Sequence, residues 1–271
     1  MPTMDLLECQ WCKGQNEPGR ATCATCGAPL DEQVRVTDSG WKEAPRLRDL
    51  TEFGFSNSTC QVNGEIVPVA ELTLAEGDGV FFEHHVMLWK EAALALSLFD
   101  SGGGAAAGVQ RMVGGMPHFL NMATGPGRLA FSRDFAGEIV VLPLHSAMEF
   151  DVREHAFLAG THSLQYSYVR LKGLASVLHG GDGMFMDRFV TSGDPGLLLL
   201  HGGGNVFERT LGDRETILIE PGAFLYKDSS VDIKTSHQKV RTGLVTHEMF
   251  LAEMTGPGRV GIQSIYVHHG E

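Results

Sequence analysis

The sequence predicts an all-β body with internal pseudo-threefold symmetry behind a small cysteine-rich head, and three observations carry that prediction. Glycine makes up 34 of 271 residues, against an average near roughly 7%, and it is spread along the chain as tight turns require. Stretches of the chain repeat in the same order. Short runs alternate apolar and polar residues, as in LQYSYVRL (164–171) and TILIE (216–220), the period of a half-buried strand. With 43% hydrophobic residues the chain has material for a sizeable core.

The head comes first. Cys9, Cys12, Cys23 and Cys26 form C-x2-C-x10-C-x2-C, two knuckles that can each place two thiolates on one ion. Gly14 and Gly27 follow the pairs where tight knuckles tolerate a missing Cβ. A segment this short has almost no apolar core, so bound metal must supply its folding energy. MPTMDLLECQWC has neither a basic n-region nor an apolar h-region, so it is read as no secretory signal, and disulfides are not expected in a reducing compartment. The expectation is a zinc ribbon over residues 1–30, with structural Zn²⁺ on Cys9, Cys12, Cys23 and Cys26. Four protein ligands close such a site against catalysis. Residues 31–57, charged and holding Pro45, read as a linker, and Cys60 as a small buried hydrophobe. The β body then runs over 58–271.

Within that body, TGPGR (124–128) recurs as TGPGR (255–259), and Phe119-Leu120 matches Phe250-Leu251 at the same offset; TSGDPGLLLL (191–200) is a looser middle copy. GEIVPVAELTL (64–74) resembles GEIVVLPLHS (137–146), which aligns with GNVFERTLGD (204–213). Each leads to an apolar cluster: EHHVMLW (83–89), EHAFLAG (154–160) and PGAFLYK (221–227), an alignment that sets His155 against His84. Only KEAALALSLF (90–99) carries a helical signal; following a strand-like run, it reads as strand or mixed.

Several stretches invite chemistry. LLLLHGGGN (197–205) resembles an oxyanion-hole loop, but the chain has no G-x-S-x-G elbow. Gly204 aligns with Gly137 and Gly64, so the glycines read as a hairpin turn between consecutive strands. GGGAAAG (102–108) lacks the endings of a phosphate loop and reads as a flexible loop. Of twelve histidines none forms H-x-H. Glu83-His84-His85 is the nearest pattern, yet neighbours on a strand face opposite ways, so both rings cannot easily reach one ion.

GMPHFLNMATGPGRLAFSRDFAGEIVVLPL and FLAEMTGPGRVGIQS, with AFLAG, LLLLHGGGNVF and LIEPGAFLY, resemble the altered-inheritance-of-mitochondria 24 family over roughly residues 58–267. The resemblance implies a TRAP-like double-stranded β-helix or β-sandwich, homotrimers among bacterial members, and no established activity for those members. Mitochondrial members are linked to inner-membrane organisation, but this chain lacks an Arg-rich presequence and carries the extra head. A net charge of −12 disfavours nucleic acid, and no apolar run approaches the roughly 18 residues of a membrane helix. The expected protein is therefore cytoplasmic, non-enzymatic and homo-oligomeric, an assembly scaffold whose ribbon recruits a protein partner. The alternative is a metal-dependent enzyme or small-molecule binder with a cupin-like pocket, using His84, His85, His118 or His155.

Overall fold

The structure is a computed structural model that describes residues 7–8, 14–16, 22–25, 39–44, 46–47, 49–99, 120–145, 148–171, 184–191, 193–242 and 245–266. The chain divides into two compact units, Met1–Glu43 and Ala44–Glu271. In the first, β1 (Leu7–Glu8) and β2 (Gln15–Asn16) pair antiparallel, and β3 (Lys42–Glu43) lies at its end. The second opens with β4 (Arg46–Leu47), β5 (Glu52–Phe55) and β6 (Ser58–Asn63). Strand β5, from the stretch read as linker, pairs with β6. Its Phe53 and Phe55 pack on the body's core, which is why a charged stretch still holds a strand.

The rest of the second unit is three copies of one six-strand wiring. The first copy is β7 (Val69–Leu74), β8 (Gly79–Glu83), β9 (Met87–Lys90), β10 (Ala95–Leu98), β11 (Leu120–Thr124) and β12 (Gly127–Phe131). The second is β13 (Gly137–Leu144), β14 (Glu149–Arg153), β15 (Phe157–Thr161), β16 (Leu164–Leu171), β17 (Met184–Thr191) and β18 (Gly196–Gly203). The third is β19 (Val206–Leu211), β20 (Thr216–Ile219), β21 (Phe224–Asp228), β22 (Asp232–Thr242), β23 (Val245–Thr255) and β24 (Gly258–Gln263). In every copy the sixth strand lies between the first and the third. The fifth lies between the second and the fourth. All these pairs are antiparallel.

The copies are sewn together by one recurring seam. Strand β8 of the first copy pairs with β15 of the second, and β14 of the second with β21 of the third. By the same rule β20 would pair with β9 and close the cycle. Instead β9 ends one sheet, β5-β6-β7-β12-β9, and β20 ends another, β20-β23-β22. The fold is all-β with the three copies read from the sequence, but one alignment shifts. Phe131 faces Ala70 and Leu200 faces Val140, so the counterpart of Gly137 in the first copy is Val67, three residues beyond Gly64.

Packing explains the leucine run. Leu198 and Leu200 of β18 enter one core cluster with Phe81, Phe150, Phe157 and Phe189, whereas Leu199 enters a second with Phe82, Phe131 and Ile139. A strand buried on both faces reads as continuously apolar. The chain then turns at Gly204, whose φ is 65°. This corner is not the hairpin expected: β18 pairs with β13 and β15, while β19 pairs with β24. The glycines serve close approach instead, since a Cβ on Gly202 would sit 2.3 Å from Val206 Cγ2. KEAALALSLF contains no helix; β9 ends at Lys90 and β10 begins at Ala95.

Candidate functional site

The corner between the second and third strands of each copy gathers polar side chains. In the first copy it is a 3-10 turn, His84–Val86, and in the third another, Pro221–Ala223. Strand pairing sets the equivalence. Phe131 faces Met87, Leu200 faces Phe157 and Ile262 faces Phe224. Counting back two residues makes His85, His155 and Gly222 counterparts, which corrects the sequence alignment of His155 with His84. The same backbone bond supports it, because Ser132 N donates to Val86 O at 2.9 Å and His201 N to Ala156 O at 2.8 Å.

The two histidine counterparts meet, with ring centroids 5.9 Å apart. Glu83, the last residue of β8, is buried beneath them, its Oε2 3.1 Å from His85 Nε2. Ligand atoms of Glu83, His85 and His155 all lie within 4.8 Å of one another. Turning the backbone into a 3-10 corner removes the strand alternation that separated neighbouring side chains in the sequence reading. It is His85 and His155, from different copies, that converge, while His84 stacks edge-on to His85 at 5.5 Å. His118 lies outside the described residues.

Arg133 closes one side. Its Nη1 lies 2.8 Å from His85 Nε2, its Nη2 donates to Phe157 O at 3.1 Å and sits 3.6 Å from Glu83 Oε2. Burial pushes the Glu83 carboxyl up to about 7, against the pull of Arg133. Burial, then the positive charge of Arg133, holds His85 down at about 4. At neutral pH His85 is therefore uncharged, and its contact with Glu83 is no ion pair. Deeper in, burial and then repulsion from Glu83 raise Asp187 to about 8, with Tyr166 Oη donating to its Oδ1 at 2.7 Å. His201 is also buried, edge-on to Phe135 at 4.8 Å, and burial lowers it to about 4. Arg133 and Asp187 carry no signal in the sequence, because neither lies in a motif that points to chemistry and each matters only through the three-copy packing.

A separate cleft of about 430 Å³ lies where the copies join, lined by Gly64, Gly137 and Gly204 among others. Arg46, Asp49 and Glu138 there serve the structure, Asp49 accepting from Gly64 N at 2.7 Å. Glu138 pairs with Arg46, accepts from Asn205 Nδ2 at 2.8 Å and from Val206 N at 2.9 Å.

In the head, Cys23 is buried. Its Sγ accepts from Thr25 N at 3.4 Å and from Asn16 Nδ2 at 3.5 Å. Asn16 also accepts from Ala24 N at 2.9 Å and donates to Gly14 O at 2.8 Å, so one amide ties β2 to the cysteine turn. Cys9, Cys12 and Cys26 lie outside the described residues. Cys60 is fully buried in the body's core, and burial pushes its thiol up to about 12, which suits a packing role.

Three copies of one six-strand unit, with a polar corner where two copies meet, define an all-β repeat protein. The chain belongs to the family described as mitochondrial biogenesis AIM24, whose sequence profile matches residues 60–265. It is 27% identical over 212 residues to an uncharacterized protein of Streptococcus pyogenes serotype M6, covering 73% of this chain and 82% of that one. It also resembles the X-ray crystal structure of a Streptococcus pyogenes protein, with a TM-score of 0.58 and 23% identity over 77% of this chain and 94% of the other. That likeness concerns the fold. Among the described residues no helix is long and apolar enough to cross a membrane.

Proposed function

We propose that this protein is a non-enzymatic assembly scaffold, a self-associating β body carrying a zinc ribbon that recruits a protein partner. The observation that carries the reading is the third seam. Two of the three seams are closed by strand pairing, and the elements that would form the third end their sheets as edges. Those edges expose large apolar side chains: Leu88 is 56% exposed, Trp89 41% and Leu218 43%. Edge strands of this kind are templates for another chain. A second copy of this protein offers the complementary edge, β20 against β9, in the pairing that the first two seams already use. Such a contact is head-to-tail and closes into a ring when the rotation allows, which accords with the trimers implied by the family resemblance.

The head supports the recruitment half of the reading. A buried sulfur accepting two N–H groups is the environment of a metal-bound thiolate, so Cys23 fits zinc; with Cys9, Cys12 and Cys26 it would complete a closed structural site. Such a ribbon adds an interaction module, and self-association would multiply its avidity. The competing reading, a metal-dependent enzyme or small-molecule binder, draws on the Glu83, His85 and His155 cluster.

Light scattering of the full chain at micromolar concentration tests the scaffold, expected to give a homo-oligomer that Trp89→Glu with Leu218→Glu converts to monomers. A monomeric wild type would overturn it.

A further inference from the structure

We propose that Glu83, His85 and His155 form a binding site for one divalent first-row transition-metal ion, distinct from the thiolates of the head. Two imidazoles and one carboxylate, with positions left for water or a ligand, are the donor set for such ions. The three ligand atoms lie within 4.8 Å of one another. Donors around one ion at bond lengths near 2.1 Å sit roughly 3–3.4 Å apart, and the Glu83–His85 pair already stands at 3.1 Å. The remaining closure falls to His155, an exposed side chain that can rotate into place.

Three further features single this corner out. The first is burial: Glu83 is 3% exposed, and its Oε2 has no hydrogen bond among the described residues. The Arg133 guanidinium stands 3.6 Å away, so an ion bound directly to Glu83 would supply the partner that burial demands. The second is backbone strain. His155 holds φ at 66°, a left-handed conformation that is unfavourable for a residue bearing a Cβ, and outliers of that kind cluster at functional sites. The third is symmetry. The counterpart of the two histidines is Gly222, and a Cβ there would sit 2.9 Å from Tyr266 Cδ2. Its carbonyl is taken by Gln263 Nε2 at 3.2 Å and by Arg153 Nη1. The third copy thus supplies no ligand, and Glu83 from below completes a three-donor face.

Arg133 has a defined part. Its Nη1 hydrogen bond to His85 Nε2 occupies the lone pair that an ion would need. Binding exchanges that bond for the metal, while Nη2 stays on the Phe157 carbonyl. The guanidinium thus competes with the ion, and its removal should tighten binding.

The test is a Co²⁺ titration of the chelator-treated full chain, followed by visible absorption. Thiolate ligation gives charge-transfer absorption and nitrogen–oxygen ligation gives d–d bands alone, so the head and this corner are read separately. The expected result is two equivalents of cobalt, one at the head with charge transfer and one at this corner whose d–d bands come without it. Combining His85→Ala with His155→Ala should weaken the corner's equivalent at least about 100-fold, Glu83→Gln by about 10–100-fold, and Arg133→Gln should strengthen it. Both histidines are exposed, so the double variant should keep the wild-type thermal midpoint and decides the matter even where Glu83→Gln fails to fold. Cobalt seen only with charge transfer, no cobalt at all, or d–d bands unchanged in the double variant would overturn the site. None of these results depends on whether the body self-associates.

Discussion

At the scale of single residues, the polar groups beneath the corner should govern how stability varies with pH. Asp187 has its pKa raised from 3.8 to about 8 in the fold, first by burial and then by Glu83. A folded pKa above the unfolded one means the folded chain holds a proton that the unfolded chain releases. The contribution is therefore full below 3.8 and is lost as pH rises towards 8. Asp187→Asn keeps the neutral form at every pH, so urea unfolding should show it gaining on the wild type by more than about 1 kcal/mol between pH 5 and pH 8. A constant difference at both pH values would mean Asp187 is ionised in the fold. His201 works the other way: with its pKa lowered from 6.5 to about 4, its contribution is present above 6.5 and is lost as pH falls through 4. In the head, Cys23→Ser should remove about one zinc per chain by metal analysis; unchanged zinc would exclude Cys23 as a ligand. The cysteine spacing proposes that site from sequence alone, because its four candidate ligands are local in the chain, though only Cys23 falls among the described residues. The Glu83–His85–His155 corner was half legible. EHH could be read as a candidate, but its partner comes from another copy at a corner whose 3-10 geometry the apolar pattern does not encode.

At the scale of elements, the recurring feature is a bulge in the third strand of each copy. It leaves Leu88, Leu158 and Leu225 unmatched opposite β12, β18 and β24. Leu158 and Leu225 are fully buried, whereas Leu88 is 56% exposed. One position in one repeated element thus has two fates, set by whether its seam is closed. Leu158→Ala should cost about 2–4 kcal/mol in urea unfolding, as deletion of a buried leucine does, and Leu88→Ala should stay within about 0.5 kcal/mol in the dilute protein. Equal costs would show that the third seam, between β20 and β9, is closed in solution. The repeat itself was legible because TGPGR and the GEIV stretches survive in the chain, marking the start of the sixth strand and the approach to the first. The pairing was not, since every seam joins strands from different copies and no local pattern specifies which edge meets which. The HGGG corner shows the same limit: glycine marked a change of direction, but not that the strands on either side leave for different partners.

At the scale of the whole molecule, the open seam turns an oligomeric state into a thermodynamic prediction. A net charge of −12 opposes association through long-range repulsion, which salt screens over about 8–10 Å. The exposed apolar residues of β9 and β20 favour it at short range. Association should therefore strengthen as salt is added, the opposite of a contact held by ion pairs. Any species that binds the folded chain alone raises its stability by mass action, and here that species is the chain itself. The thermal midpoint should rise with protein concentration across a hundredfold range and rise further with added salt. In Trp89→Glu with Leu218→Glu it should be flat, since a carboxylate on each edge places like charges opposite one another on pairing strands. Calorimetry at two concentrations and two salt levels reads this directly. A wild-type midpoint independent of concentration would mean that β9 and β20 meet no second copy, and the scaffold would lose its basis. A concentration dependence weakened by salt would move the contact to charged surface elsewhere on the chain.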